Sequence, residues 1–275
     1  MLIVAERINA TRKRIGAALA ERDAKLIVKE AKNQAAAGAA FIDINAGADP
    51  AKETEDLVWM TRAVQGAVET PLCFDSASPE ALSAALDVHS RFLASKSDGR
   101  KIMINSINGE KSRLDGILPL VVKYEAEVVA LAMDEAGMPT TAADRVAKVS
   151  AILEAAAAVG VPSARIYADP CIQPVSTDQT QARAVIDAIR ELRAKFPELN
   201  YICGLSNVSF GLPQRRLLNR TFLVLLMGAG LNAAVLDPTE PGMMSAILAA
   251  EALLGQDEWC MQYITASRDG KLDDA

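Results

Sequence analysis

The chain has 275 residues, 51% of them hydrophobic, which is enough for one large core. Its formal charge is −6, and no basic cluster suggests a nucleic-acid or anionic-membrane surface. No apolar run approaches the roughly 20 residues needed to cross a bilayer.

The first strand is expected at Leu2–Glu6. Charged Glu6-Arg7 follows it directly, unlike a secretory signal, so a cytoplasmic enzyme is the expectation. A helix over Ala24–Ala37 stops at Gly38, ahead of a strand at Ala40–Asn45. Glu53–Val68 carries Leu57, Val58, Met60, Val64 and Val68 near a 3.6-residue period. A strand at Leu72–Asp75 follows, and Pro79 opens the next helix through Leu82 and Leu86. After a strand at Ile102–Asn105, Pro119 predicts a kinked or divided helix. Strands at Val128–Met133 and Arg165–Asp169 flank a helix at Ala142–Val159, which ends at Gly160. A helix at Asp178–Lys195 stops before Pro197, and Tyr201–Leu205 reads as the seventh strand. Arg215–Met227 ends at Gly228, Ala233–Asp237 is the eighth strand, and Met243–Leu254 ends at Gly255. The stretch Ser267–Lys271 and the acidic end read as a frayed terminus.

Eight strands recur about every 33 residues with helices between them, as repeated βα units do. The expected fold is α/β, a TIM (β/α)8 barrel, with residues 1–275 forming one domain. No strand leads into G-x-G-x-x-G or G-x-x-x-x-G-K-[ST], which argues against a nucleotide-binding sheet.

Polar residues gather at the C-terminal ends of these strands: Glu6-Arg7-Ile8-Asn9, Asp43-Ile44-Asn45, Asp75-Ser76, Asn105-Ser106, Asp169-Pro170, Ser206-Asn207 and Asp237. Any one could cap the following helix. Their recurrence around the ring points instead to a site at the barrel mouth. Amides and carboxylates suit a flat heterocycle with alternating donors and acceptors, and a carboxylate can accept from an exocyclic amine and the adjacent ring N–H together. Residue types alone do not choose pterin over purine.

The chain resembles the pterin-binding methyltransferases that act on methyltetrahydrofolate and a corrinoid protein. The acetogen methyltetrahydrofolate:corrinoid/iron–sulfur protein methyltransferases are the nearest type. The resemblance covers nearly the whole chain. It rests on Glu6-Arg7-Ile8-Asn9, Asp43-Ile44-Asn45, Asp75-Ser76, Met103-Ile104-Asn105-Ser106 and Asp169-Pro170. The more specific Gly204-Leu205-Ser206-Asn207-Val208-Ser209 and Leu218-Asn219-Arg220-Thr221-Phe222 add to it. It implies that Asp75, Asn105 and Asp169 hold the pterin edge, with Asp43, Asn45 and Ser206 in the substrate site. It also implies that Asn207 lies at N5 as the catalytic residue, and that Arg215 stands near the substrate or the following loop. Asn9 and Asn45 are equally suited to supporting the rim, and Glu6 and Arg7 are expected to form an ion pair there.

The implied substrates are tetrahydrofolate or methyltetrahydrofolate and a corrinoid (cobalamin) carried by a partner protein. A homodimer is implied as well. Two departures stand out. Ala5 replaces a frequent glycine, and Phe210-Gly211-Leu212-Pro213 follows Ser209 where the type enzyme continues with a polar residue.

N5 of methyltetrahydrofolate is a poor leaving group without a proton or strong hydrogen bond. Asn207 can donate one that strengthens as N5 becomes basic, with the proton coming from solvent. His89, the sole histidine, is expected mid-helix and solvent-facing. Asp87-Val88-His89-Ser90-Arg91-Phe92 lacks the glycine of the corrinoid-binding D-x-H-x-x-G string. The cysteines Cys73, Cys171, Cys203 and Cys260 contain no CxxC pair, so neither zinc nor any other bound metal is expected. Cys73 and Cys203 read as core residues. Rival readings are a dihydropteroate synthase-like enzyme and a non-catalytic folate-binding subunit of a corrinoid complex. The first should show a lysine beside the seventh strand, where this chain has Ser206-Asn207. The direction of transfer, the corrinoid partner, and tetrahydrofolate versus tetrahydromethanopterin stay open.

Overall fold

The computed structural model describes residues 1–272. In chain order the elements are β1 (Leu2–Asn9), α1 (Lys13–Ala20), α2 (Ala24–Ala36), β2 (Phe41–Asn45), α3 (Glu53–Gln65), β3 (Leu72–Asp75) and α4 (Pro79–Lys96). There follow β4 (Ile102–Ile107), α5 (Lys111–Lys123), β5 (Glu127–Leu131), α6 (Ala142–Ala158), β6 (Ile166–Asp169) and α7 (Gln181–Lys195). The last are β7 (Asn200–Tyr201), α8 (Arg215–Ala229), β8 (Ala233–Leu236), α9 (Met243–Leu253) and α10 (Met261–Arg268). No helix among the described residues is long and apolar enough to cross a membrane.

The strands pair in parallel in the order β7-β6-β5-β4-β3-β2-β1-β8. A bridge between Gly204 and Val235 closes the ring, with the Val235 N–H donating to the Cys203 carbonyl at 2.8 Å. The expected barrel is therefore formed.

Strand alternation sorts the side chains into two cores. Ile42, Ile44, Leu72, Phe74, Ile102, Ile104, Val128, Ile166 and Ala234 face the helices. Val4, Phe41, Cys73, Met103, Val129, Tyr167, Ile202 and Ala233 fill the barrel interior as a plug, one residue from each strand or its direct continuation. Cys73 and Cys203 are both buried, as expected.

The strand-end amides and acids are not helix caps. Asp23, Ser78 and Thr141 cap α2, α4 and α6 through their side chains. At the strand ends a different device recurs. The side-chain oxygens of Asn9, Asn45, Asp169 and Asp237 each accept from the N–H two residues on. These Asx turns steer the chain off the strand.

Several expectations are corrected. The seventh strand is only two residues long, because Leu205–Ser209 winds into a 3₁₀ turn. The helix after β4 is not divided, since α5 runs through Pro119. Ser267 and Arg268 belong to α10, while the last three residues lie outside those described. Glu6 and Arg7 do not pair with each other. Adjacent strand residues diverge, and the register shifts between Ala5 and Ile8. Arg7 donates to Glu30 at 2.9 Å and to Asp237 at 2.8 Å, and Glu6 meets Arg12 at 3.3 Å. His89 is buried rather than solvent-facing. It shares the inward stripe of α4 with Leu82, Ala85, Leu86 and Leu93, its ring centroid lies 5.4 Å from that of Phe74, and burial lowers its pKa to about 4.

Candidate active site at the barrel mouth

The plug sets the floor of the site. Two residues further along a strand, the next inward side chain stands at the mouth: Asp75 beyond Cys73, Asn105 beyond Met103, Asp169 beyond Tyr167. These three converge on a cavity of about 340 Å³. Val129, Leu131 and Val235 give it an apolar base, and Ser76, Ser106, Arg113 and Gly204 complete the polar wall. A small, mostly preformed hollow with a few directed polar groups is the usual form of a small-molecule site.

Asp169 is the most constrained of the set. One carboxylate oxygen accepts the Cys171 N–H at 2.7 Å and the other accepts the Gly204 N–H at 3.2 Å. Burial raises its pKa to about 6 against those two backbone bonds. Asp75 accepts from the Asn45 side-chain amide at 2.9 Å. Its pKa is also raised, chiefly by burial, while the Asn45 hydrogen bond and the Arg113 charge oppose the rise. The mouth thus presents two acceptors whose ionised forms burial disfavours.

Asp43 and Asn45 stand at two different depths. Strand register puts Asp43 beside Cys73 and Asn45 beside Asp75. Asp43 is therefore one layer below the mouth, 2% exposed, with one carboxylate oxygen unpartnered. Burial and the nearby Asp75 push its pKa well up. Asn45 is committed on both sides, to Asp75 and to the Gly47 N–H. Asp43 thus lies beneath the lining residues, and Asn45 braces Asp75 at the rim, one of the two places expected for it.

Asn207 sits exposed in the 3₁₀ turn, at the edge of the cavity. Its amide nitrogen lies 3.5 Å from where a Cβ on Gly204 would stand, and Gly204 lines the cavity. Arg215 holds this turn in place, donating to Ser209 Oγ at 3.0 Å and to the Ser206 carbonyl at 2.7 Å. Ser206 enters this network through its backbone carbonyl.

Two residues that shape the site were not legible as such. Arg113 comes from the first turn of α5, where an arginine looks like ordinary helix surface. Arg145 is fully buried on α6. It donates to the Pro170 carbonyl at 2.7 Å, the Cys171 carbonyl at 3.2 Å and Gln181 at 2.8 Å. It clamps the loop that follows Asp169. A signal was present: Arg145 shares a helical stripe with Val149, Ile152 and Ala156.

The chain is 40% identical to the methylcorrinoid:tetrahydrofolate methyltransferase of Eubacterium limosum over 99% of its own length and 98% of the relative's. It is 30% identical to the methionine synthase of Mycobacterium tuberculosis over 87% of its length, matching 20% of that longer protein. Among solved structures, 7,8-dihydropteroate synthase from Vibrio fischeri superposes with a TM-score of 0.68 at 16% identity, covering 93% of each chain. That likeness shows the shared barrel. The pterin binding enzyme family matches residues 5–237, a span that runs from β1 to the end of β8 and includes every mouth residue described above; the chain belongs to that family.

Proposed function

We propose that the protein is a methyltransferase moving a methyl group between N5 of tetrahydrofolate and the cobalt of a corrinoid carried by a separate protein. The name of the Eubacterium limosum relative supports the direction from methylcorrinoid to tetrahydrofolate. The methionine synthase relative fits the same reading. The single observation that carries it is the convergence of Asp75, Asn105 and Asp169 on one cavity, with the Asn207 amide at its edge.

In this reading Asp169 and Asp75 accept the N–H groups of the pterin edge, and Asn105 completes the set. The plug beneath leaves the ring no deeper position, so N5 stays at the level of the 3₁₀ turn. The methylcorrinoid is a substrate presented from outside. N5 attacks the methyl carbon, and the new N–C bond forms as the Co–C bond breaks, leaving both electrons on cobalt. The N5 proton departs to solvent. Asn207 hydrogen-bonds N5 and orients its lone pair. In the reverse direction the same bond strengthens as N5 becomes basic. Arg215 keeps Asn207 in position through the turn. The chain acts as one domain over residues 1–275, in a cytoplasmic homodimer of the kind the family resemblance implies.

The test is anaerobic transfer from methylcobalamin to tetrahydrofolate, followed by the appearance of Co(I) in the visible spectrum. Asn207→Ala is expected to lower turnover about a hundredfold, as loss of a transition-state hydrogen bond does, while changing tetrahydrofolate affinity little. Equal losses in both would sink the role given to Asn207. If neither free methylcobalamin nor a methylated corrinoid protein supports transfer, the folate-binding subunit takes the place of the enzyme.

A further inference from the structure

Arg113 is the cationic side chain in the wall of the mouth cavity. It rises from the first turn of α5 and donates one N–H to the Ala77 carbonyl, two residues beyond the tip of β3. The guanidinium therefore stands at the level of the loops, above the strand tips that carry Asp75 and Asn105. Among the described residues it forms no ion pair within 4.0 Å, and Ala77 is its one hydrogen-bond acceptor. The other arginines of the rim are committed: Arg7 to Glu30 and Asp237, Arg12 to Glu6, Arg215 to Ser206 and Ser209.

A guanidinium has five N–H donors and no acceptor, so its partner must offer oxygen. The pterin edge is rich in donors, and Asp75 and Asp169 match those. The substrate's anionic groups lie elsewhere. Tetrahydrofolate continues from its ring into a p-aminobenzoyl glutamate, whose carboxylates are ionised at neutral pH. This tail has to leave the cavity past the loops, where Arg113 stands. A forked guanidinium there suits a carboxylate.

Resting on the tetrahydrofolate reading above, we propose that Arg113 binds a carboxylate of the glutamate tail and so selects folate over a bare reduced pterin. The ring is read at the strand tips, and the tail is read one level higher by a helix-borne arginine.

The experiment measures binding by calorimetry for tetrahydrofolate and for tail-less 6-methyltetrahydropterin, using wild type, Arg113→Ala and Arg113→Lys. Arg113→Ala is expected to weaken tetrahydrofolate about tenfold, the usual scale for one charge-assisted hydrogen bond, and to weaken the tail-less pterin distinctly less, through the lost support of the Asp75 charge alone. Arg113→Lys should fall between, keeping the charge without the fork. In steady-state transfer the KM for tetrahydrofolate rises in Arg113→Ala while kcat holds. Equal weakening of both ligands would assign Arg113 to the ring and overturn the proposal, as would no weakening of either. Wild type binding neither ligand would bring down the folate reading itself, and the tail contact with it.

Discussion

At the scale of single residues, Asp169 carries a double duty. A carboxylate offers about four lone-pair sites, and the Cys171 and Gly204 N–H groups take two. The remaining two can face a pterin only while the group is ionised. Burial holds its pKa at about 6, above the ordinary 3.8. The sign follows directly. The neutral form, favoured by the folded protein, dominates below about pH 6 and lacks the charge that the ring N–H groups seek. Tetrahydrofolate affinity is thus expected to fall about tenfold per unit as pH drops below about 6. Asp169→Asn should bind weakly with no such slope, and fluorescence titration across pH 5–8 measures both. A wild-type affinity flat through pH 6 would remove Asp169 from the ligand. Asp75, Asn105 and Asp169 were legible because each ends an apolar run. Asp43 looked equivalent, but its depth depends on the stagger between neighbouring strands, which no local pattern contains. Arg113 was hidden because nothing in a surface helix turn tells which loop it reaches.

At the scale of elements, the two periodicities did most of the work. Short apolar runs placed all eight strands, the seventh with its far end wrong, and helical patterns with their caps placed α2, α3, α4, α6, α7, α8 and α9, whereas α1 and α10 were not foreseen. His89 could have been placed by the same stripe, since it stands four residues before Leu93 and three after Leu86. The seventh strand failed for a physical reason. Cys203-Gly204-Leu205 reads as apolar and extended, yet the chain turns at Gly204 to form the 3₁₀ turn that presents Asn207. Arg145 shows how one element organises another. From α6 its guanidinium ties the loop between β6 and α7 through the Pro170 and Cys171 carbonyls and Gln181. Replacing it by methionine keeps the bulk but strands those buried acceptors. The expected loss is about 3 to 5 kcal/mol, read from urea unfolding, with a weakened folate site because Asp169 adjoins the loop. A loss below about 1 kcal/mol would mean that the loop holds itself.

At the scale of the whole molecule, the barrel has a weak seam. β1 through β6 pair over four residue pairs at each junction, with register shifts in β1 and β4, whereas β7 meets β6 over two and meets β8 through the Gly204–Val235 bridge. Local opening begins where the ladder is thinnest. Amide hydrogen exchange is therefore expected to be faster at Asn232 and Val235 than in the middle of β2, β3 and β4. Uniform protection around the ring would contradict this. The closed barrel itself was legible from eight evenly spaced units, but the seam was not, because closure depends on the few residues where the last strands meet. The stacking of plug below mouth has a further consequence for how such a protein can change over generations. Floor and binding groups are successive inward positions of the same strands. Inserting or deleting one residue within a strand would turn its ligand-facing group into the helix layer and drive an apolar neighbour into the pocket. Strand lengths are consequently frozen while the site survives. New substrate preferences must enter by substitution at the tips or by growth of the loops, and the loop-level Arg113 is one place where such a change could be accepted without disturbing the ring beneath.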